Sequence, residues 1–272
     1  MIPKRIFFYW AGGEMSYMRY LTLKSFRHHN PDWLIDLYVT ENTLKNKTWN
    51  SYVSQDSFAY SGKDYFSEVE ALGVSVKTWD PPKDLPVMNP VHVSDIFRWY
   101  ILYSEGGVYA DMDILFAKPI DELYEKIKDI DTVMCMHSHA SIGLMASSPD
   151  NPFFQSVYET SKKAYTPKDY QCAGVVSVYK VTDGVQSQDA IDVIQKKWKD
   201  KSIYNLPFNV VYPFYYKVLD QVYDRVSEVP DESIGIHWYG GNPKSQKFNN
   251  ILSHENINDH DNTFTKFAKI CI

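Results

Sequence analysis

The chain has 272 residues, a formal net charge of −6 and 15% aromatic residues. That length fits one generous domain or two small ones and supports a large core, while an acidic balance without a basic stripe argues against nucleic acid as the main partner. No stretch approaches the roughly 20 apolar residues of a spanning helix, and the apolar run at residues 6–11 is too short for a secretory signal, so a soluble cytoplasmic protein is expected. Cys135, Cys172 and Cys271 are odd in number and lack metal-ligand spacing, which points to free thiols in a reducing compartment. The 21 Tyr and 7 Trp belong mostly to the core, and their excess also suits sugar binding, because their faces are apolar and their tips hydrogen-bond.

In chain order, residues 5–10 (RIFFYW) are a β-rich run closed by Ala11-Gly12-Gly13. A buried first strand ending in a glycine pair opens a ligand crevice in α/β folds; without a third glycine it is not a dinucleotide fingerprint. Residues 16–29 form an amphipathic helix with Met18, Leu21 and Phe26 inward. Asn30-Pro31 stops it, and His28 and His29 are capping charges at its end. Residues 35–40 are a second strand. Polar residues 41–72 predict two short helices over one side of the site, 64–72 the firmer, closed by Gly73. Residues 74–79 are a third strand, broken by Asp80-Pro81-Pro82.

Residues 91–105 contain no Pro or Gly and place apolar side chains at helical spacing. Gly106 and Gly107 end that helix, since a left-handed cap favours a residue without a Cβ. Val108, Tyr109 and Ala110 suit a short buried strand that finishes on Asp111 and Asp113. Two carboxylates one residue apart at a strand end point the same way, with Cα atoms about 6–7 Å apart. One can then reach a divalent ion while the other reaches a group beside it; Mg²⁺ or Mn²⁺ takes oxygen ligands, commonly one or two carboxylates plus substrate phosphates. Asp95 and Arg98, at i and i+3, share a face of the preceding helix. Singly, such an acid pair is usually a solvated turn and such an ion pair a surface one. The ordered set carries the weight: Ser94-Asp95, Arg98, Gly106-Gly107, Tyr109, Asp111-x-Asp113.

Further on, residues 114–120 read as a strand and 121–127 as a short helix. Residues 132–136 and 141–146 read as a hairpin-like pair of strands, with His137 and His139 as loop residues facing the acceptor side. Residues 149–163 are a helix with Pro near its start. Gly235 to Asn242 (GIHWYGGN) is a strand ending in His237 and then a glycine pair, a second crevice edge. Residues 244–272 are polar and read as a solvated tail. With no repeat or linker, residues 1–272 count as one domain.

The pattern S-D-x-x-R, seven residues, G-G-x-Y, then D-x-D resembles the Asp-x-Asp sugar transferases of the GT-A fold. More narrowly it is similar to glycosyltransferase family 32, with the capsule and mannosyl transferases, related to the glucosylating bacterial toxins. Every fixed position is present between Ser94 and Asp113. The opening Ile2-Pro3-Lys4, Asn30-Pro31, Leu206-Pro207 and Tyr212-Pro213 also match; the last two pairs are read as scaffold. The family's closing H-x-W-x-x-S-W is met only by His237, with Tyr239, Asn242 and Pro243 at its other positions.

This resemblance implies one Rossmann-like mixed sheet flanked by helices. It implies metal-dependent transfer, generally retaining, from a nucleotide-diphosphate sugar to a glycan or other hydroxyl acceptor, with Mn²⁺ or Mg²⁺. A UDP-sugar is favoured and GDP-mannose comes next. By the same resemblance Asp113 is the direct metal ligand and His237 a metal or diphosphate ligand. Asp111 serves the ribose or a metal-bound water. Asp95 and Arg98 hold donor sugar hydroxyls or phosphate, and Tyr9 or Trp10 stacks on the base. Ala11, Gly12, Gly107, Tyr109 and Met112 line the donor, and Gly174-Val175 stands where the family has Gly-Pro beside the sugar. Two other classes are kept: a metal-dependent phosphodiester hydrolase, which would need further His or Asp ligands, and a non-catalytic sugar binder, which has little use for a metal pair.

Overall fold

The structure is a computed structural model, described here for residues 1–10, 13–40, 60–83, 85, 90–166 and 169–272. Its strands are β1 (Arg5–Trp10), β2 (Leu34–Val39), β3 (Ser75–Thr78), β4 (Gly107–Ala110), β5 (Ile114–Phe116), β6 (Thr132–Met136), β7 (Ala140–Ser147), β8 (Ile203–Asn205) and β9 (Gly235–His237). Seven form one sheet in the order β3-β2-β1-β4-β7-β6-β8, while β5 and β9 make a small ladder of their own. The large sheet is mixed: β1 runs parallel to β2 and β4, whereas β7 is antiparallel to β4 and β6. The helices are α1 (Tyr17–His29), α2 (Pro90–Ser104), α3 (Asp121–Ile127), α4 (Pro152–Ala164), α5 (Val175–Val181), α6 (Ala190–Lys197), α7 (Asp220–Tyr223), α8 (Pro243–Ile251) and α9 (Thr263–Ala268). The expected mixed α/β sheet flanked by helices is what the chain forms.

The first strand shows why. Ile6 and Phe8 point into a core shared with Leu21 and Phe26 of α1, while Phe7 and Tyr9 point into one shared with Phe97 of α2 and Phe154 of α4. A strand covered on both faces needs a continuous apolar run rather than an alternating one. α1 begins where predicted, with the Ser16 hydroxyl accepting the Arg19 N–H at 3.3 Å. It stops at Asn30, whose side chain donates to Phe26 O at 3.0 Å and accepts the Ile120 N–H at 2.8 Å. α2 ends at Gly106, with φ +66°. A Cβ there would also lie 2.5 Å from the Pro149 nitrogen, so the turn and the packing both demand glycine.

Three expectations change. The strand foreseen at 114–120 ends at Phe116, because the N–H groups of Ala117 and Lys118 both turn to Ile234 O. Residues 66–72 form two single 3₁₀ turns closed by Gly73 (φ +66°), and the other helix foreseen in this region lies outside the described residues. Residues 244–272 are not a solvated tail. They fold into α8 and α9, and Phe248, Leu252, Ile257, Phe264 and Ala268 are buried in the core with Trp238. Asn262 and Thr265 form a reciprocal capping box that starts α9. The three cysteines are buried and unpaired, and among the described residues no helix is long and apolar enough to cross a membrane.

Phe264→Ala is therefore expected to lower unfolding free energy by about 3–5 kcal/mol in urea titrations, as for a core aromatic. A change under about 0.5 kcal/mol, the surface value, would return these residues to a solvated tail.

Candidate functional site

The site forms where the chain leaves the large sheet. β4 ends at Ala110, residues 111–113 turn, and β5 begins at Ile114. The acid pair thus sits on a turn between two sheets, and the turn, rather than strand alternation, brings the carboxylates together. The β5–β9 ladder then delivers the histidine. It pairs Ile114 with His237, and the Trp238 N–H donates to Asp113 O at 2.8 Å. His237 Nε2 comes to 3.2 Å from Asp113 Oδ1 and 3.9 Å from Asp111 Oδ2. One ligand atom from each of Asp111, Asp113 and His237 lies within 4.8 Å of the others.

Asp95 and Arg98 point inward from α2 and are buried, not a surface pair. Arg98 Nη2 meets Asp95 Oδ1 at 2.9 Å, and Nη1 reaches Asp111 Oδ1 at 3.2 Å and Ile142 O at 2.8 Å. Its guanidinium lies 4.9 Å over the Tyr109 ring, and the Tyr109 hydroxyl donates to Asp111 Oδ1 at 3.0 Å. Asp111 donates its own N–H to Gly143 O at 2.8 Å. Asp111 is thus fixed from α2, β4 and β7 at once.

The charges respond to this crowding. Burial alone would raise the Asp113 carboxyl, but His237 outweighs it, helped by Arg19 and by the Gly240 N–H at 2.6 Å, and holds it well below the usual carboxylate range. Burial pushes His237 down, yet Asp113 and Asp111 push harder and bring it up to about 9. The Tyr239 N–H donates to His237 Nδ1 at 3.3 Å, so the ring turns its Nε2–H toward the two carboxylates. Burial raises Asp95 to about 7, with Arg98 pulling the other way and Asp111 adding to the rise. The His237 Nε2 proton thus lies between two carboxylates, at a place a dication could fill. Carboxylate oxygens with one imidazole suit Mn²⁺ or Mg²⁺, so the residues fit the expected ion.

The other expected residues are placed as follows. Tyr9 is buried, its ring stacked 4.6 Å from Phe97 and its hydroxyl donating to Trp79 O at 3.2 Å, so the core uses the face that base stacking would need. Trp10 is only partly buried and donates its ring N–H to Gly13 O at 3.0 Å. Met112 is buried, its carbonyl accepting from the Thr22 hydroxyl at 3.0 Å. Gly107 (φ +103°) makes room for Phe7, which a Cβ would approach to 2.8 Å. Ala11 and Gly12 lie outside the described residues. Gly174 adjoins Asp95, since a Cβ there would be 2.9 Å from Oδ2.

Five residues escaped the sequence reading. Gly143 sits where a Cβ would come 3.0 Å from Asp111 Oδ2 and 3.1 Å from His237 Cδ2. Tyr212, expected as scaffold, accepts the Gly143 N–H at 2.8 Å and packs its ring 5.0 Å from that of His237. Phe208 stacks on Tyr212 at 5.0 Å and contacts His137 and His139, linking that loop to the site. Burial and then Asp95, Asp113 and Asp111 raise the Tyr170 hydroxyl, placing it within their field. Arg19 of α1 is the fifth. A second cluster of ligand-type atoms, from His28, His29 and Cys271, lies at the other end of α1; Cys271 Sγ is 3.9 Å from His29 Nε2.

A family model described as glycosyltransferase sugar-binding region containing DXD motif matches residues 18–133. The chain is similar to that family over this segment, which holds both Asp111 and Asp113. Two Asp-x-Asp sequences fall within it, but only Asp111 and Asp113 converge on a histidine; Asp131, of the second, bonds Ser148 and Ser202 instead. "Subversion of eukaryotic traffic protein A" of Legionella pneumophila is 24% identical over 172 residues, 62% of this chain and 26% of that protein. "Inositol phosphoceramide mannosyltransferase 1" of Schizosaccharomyces pombe is 38% identical over 73 residues, 25% of this chain and 21% of that one. The chain thus spans about a quarter or less of the curated relatives it matches. Among solved structures, the PaToxG glycosyltransferase superposes with a TM-score of 0.46 at 14% identity, covering 73% of this chain and 74% of that one.

Because the carboxylates of Asp113 and Asp111 raise His237 to about 9, the proton it turns toward them must leave before a metal can take Nε2. Apparent Mn²⁺ affinity, measured by calorimetry, should rise about tenfold per pH unit between about pH 6 and about pH 8 and flatten near the histidine's own value. His237→Gln should remove that slope; an unchanged slope would take His237 out of the ligand set.

Proposed function

We propose that the chain is a metal-dependent glycosyltransferase of the GT-A fold. It moves a sugar from a nucleotide-diphosphate donor, a UDP-sugar first and GDP-mannose next, to a hydroxyl of a glycan or similar acceptor. The observation that carries this is the Asp111–Asp113–His237 group, locked by Arg98 and Asp95, inside a segment that matches a DXD sugar-binding region. The local likeness to a mannosyltransferase supports sugar transfer and keeps GDP-mannose as the second donor. We read residues 1–272 as one catalytic domain; three buried free thiols agree with a cytoplasmic setting.

Asp113 and His237, with Asp111 beside them, would hold Mn²⁺ or Mg²⁺. When bound, the ion supplies Lewis-acid stabilisation of the charge that develops on the departing diphosphate. The remaining work falls to the chain's own groups. Arg98 fixes Asp95 and Asp111 in place, so their carboxylate edges orient donor hydroxyls without reorganising as charge develops. Tyr109 donates to the same Oδ1 of Asp111 that Arg98 meets. Retention by double displacement needs a carboxylate nucleophile within about 5–5.5 Å of an acid partner. Asp95 is the nearest candidate by sequence, but it is tied to Arg98. Same-face attack, with the leaving phosphate taking the acceptor's proton, is therefore the preferred course.

Melting curves with UDP or GDP, each with and without Mn²⁺, test the reading. One nucleotide together with Mn²⁺ should stabilise the fold, by about 2.7 kcal/mol at a hundred times its Kd, and neither alone should match it. Asp113→Asn should abolish this joint effect and lower sugar transfer about a hundredfold or more. Stabilisation by no nucleotide, or full transfer by Asp113→Asn, would remove this reading.

A further inference from the structure

Arg19 is a cation that forms no ion pair with the acids of the site described above. It lies in the first turn of α1 and is partly buried. Its guanidinium carbon sits 4.6 Å from the Trp238 ring and 5.5 Å from the Trp10 ring. It also rests against the backbone of Gly240, where a Cβ would come 2.2 Å from Nη2. Gly240 in turn donates its N–H to Asp113 Oδ2, so one residue joins the guanidinium to the metal-type carboxylate.

Among the described residues the Arg19 guanidinium has no carboxylate within ion-pair distance and donates no hydrogen bond. Asp111 and Asp113 take their close contacts from Arg98, His237 and Gly240 instead. Indole faces stabilise the cation but accept none of its in-plane N–H donors. A structural guanidinium in such a place would be expected to be paired; one left with its fork unmet, beside a candidate metal group, suits an arriving anion. The glycines explain the rest: any side chain at Gly240 would displace the fork.

Resting on the glycosyltransferase reading, we infer that Arg19 binds the diphosphate of the donor. Its N–H fork takes phosphate oxygens, while Trp10 and Trp238 hold the guanidinium in place. Arg98, committed to Asp95, Asp111 and Ile142 O, is then a positioning residue more than a phosphate ligand. Arg19 gives the site its preference for a nucleoside diphosphate over the bare nucleoside, and it contributes before any acceptor arrives.

The test is calorimetric titration of wild type, Arg19→Gln and Arg19→Lys with Mn²⁺ alone and, in Mn²⁺, with uridine, UMP and UDP or with guanosine, GMP and GDP. No acceptor is present, so an anionic acceptor cannot produce the result. Arg19→Gln should weaken the diphosphate about ten- to a hundredfold, the range for a charge-assisted hydrogen bond. Nucleoside affinity should stay within about twofold, which also shows that the variant is folded, and Arg19→Lys should recover part of the loss. Diphosphate binding unchanged in Arg19→Gln, or lost equally for nucleoside and diphosphate, overturns the inference while leaving the glycosyltransferase reading intact. Wild type that binds neither diphosphate with Mn²⁺ overturns that reading and the inference with it.

Discussion

Carboxylates crowd together at the end of β4 only because Arg98 is buried among them. It meets Asp95 at 2.9 Å and Asp111 at 3.2 Å, and it also holds the Ile142 carbonyl at 2.8 Å. A charge taken out of water is tolerated when it is paired and hydrogen-bonded, and one guanidinium here serves two acids and a backbone oxygen. Removing it would leave those acids buried without compensation. The position of Asp111 and much of the electrostatics of the site depend on this one side chain.

A second constraint binds the remote parts of the chain to that centre. Asp113 takes the Trp238 N–H on its carbonyl and the Gly240 N–H on its carboxylate, so residues 237–240 are clipped to the acid pair at both levels. Between those two bonds Tyr239 adopts φ +50°, a conformation a tyrosine holds only when its surroundings enforce it. Its ring is pressed to 4.5 Å from His237 as a result. Local strain and site geometry are here the same fact.

Much of this was legible because it is local. The Ser16 cap, the Asn30-Pro31 stop, the glycines after α2 and the order of strands and helices depend on residues close in sequence. The acid pair and Arg98 were legible through their spacing. What escaped depends on contacts distant in sequence. Nothing near Gly143 reveals that it will face Asp111, and Tyr212 reads as core until β7 is in place. Arg19 looks like an ordinary polar residue on an amphipathic helix; only Trp10 before it and Trp238 far beyond give it meaning. The last 29 residues were misread for another reason, since polar composition masked widely spaced core positions such as Phe248, Ile257 and Phe264. The strand assumed for Asp111 to Asp113 failed because period-2 geometry does not survive a turn.

The β5–β9 ladder has a consequence for biogenesis. During synthesis Asp111 and Asp113 emerge long before His237, and until β9 arrives β5 is a three-residue strand with an open edge and no partner in the large sheet. The nascent polypeptide therefore passes through a stage with the Asp111–Asp113 turn made and its histidine missing. The Asp111–Asp113–His237 group is complete only when the ladder closes, so its assembly waits until residues near 237 have folded against the middle of the chain.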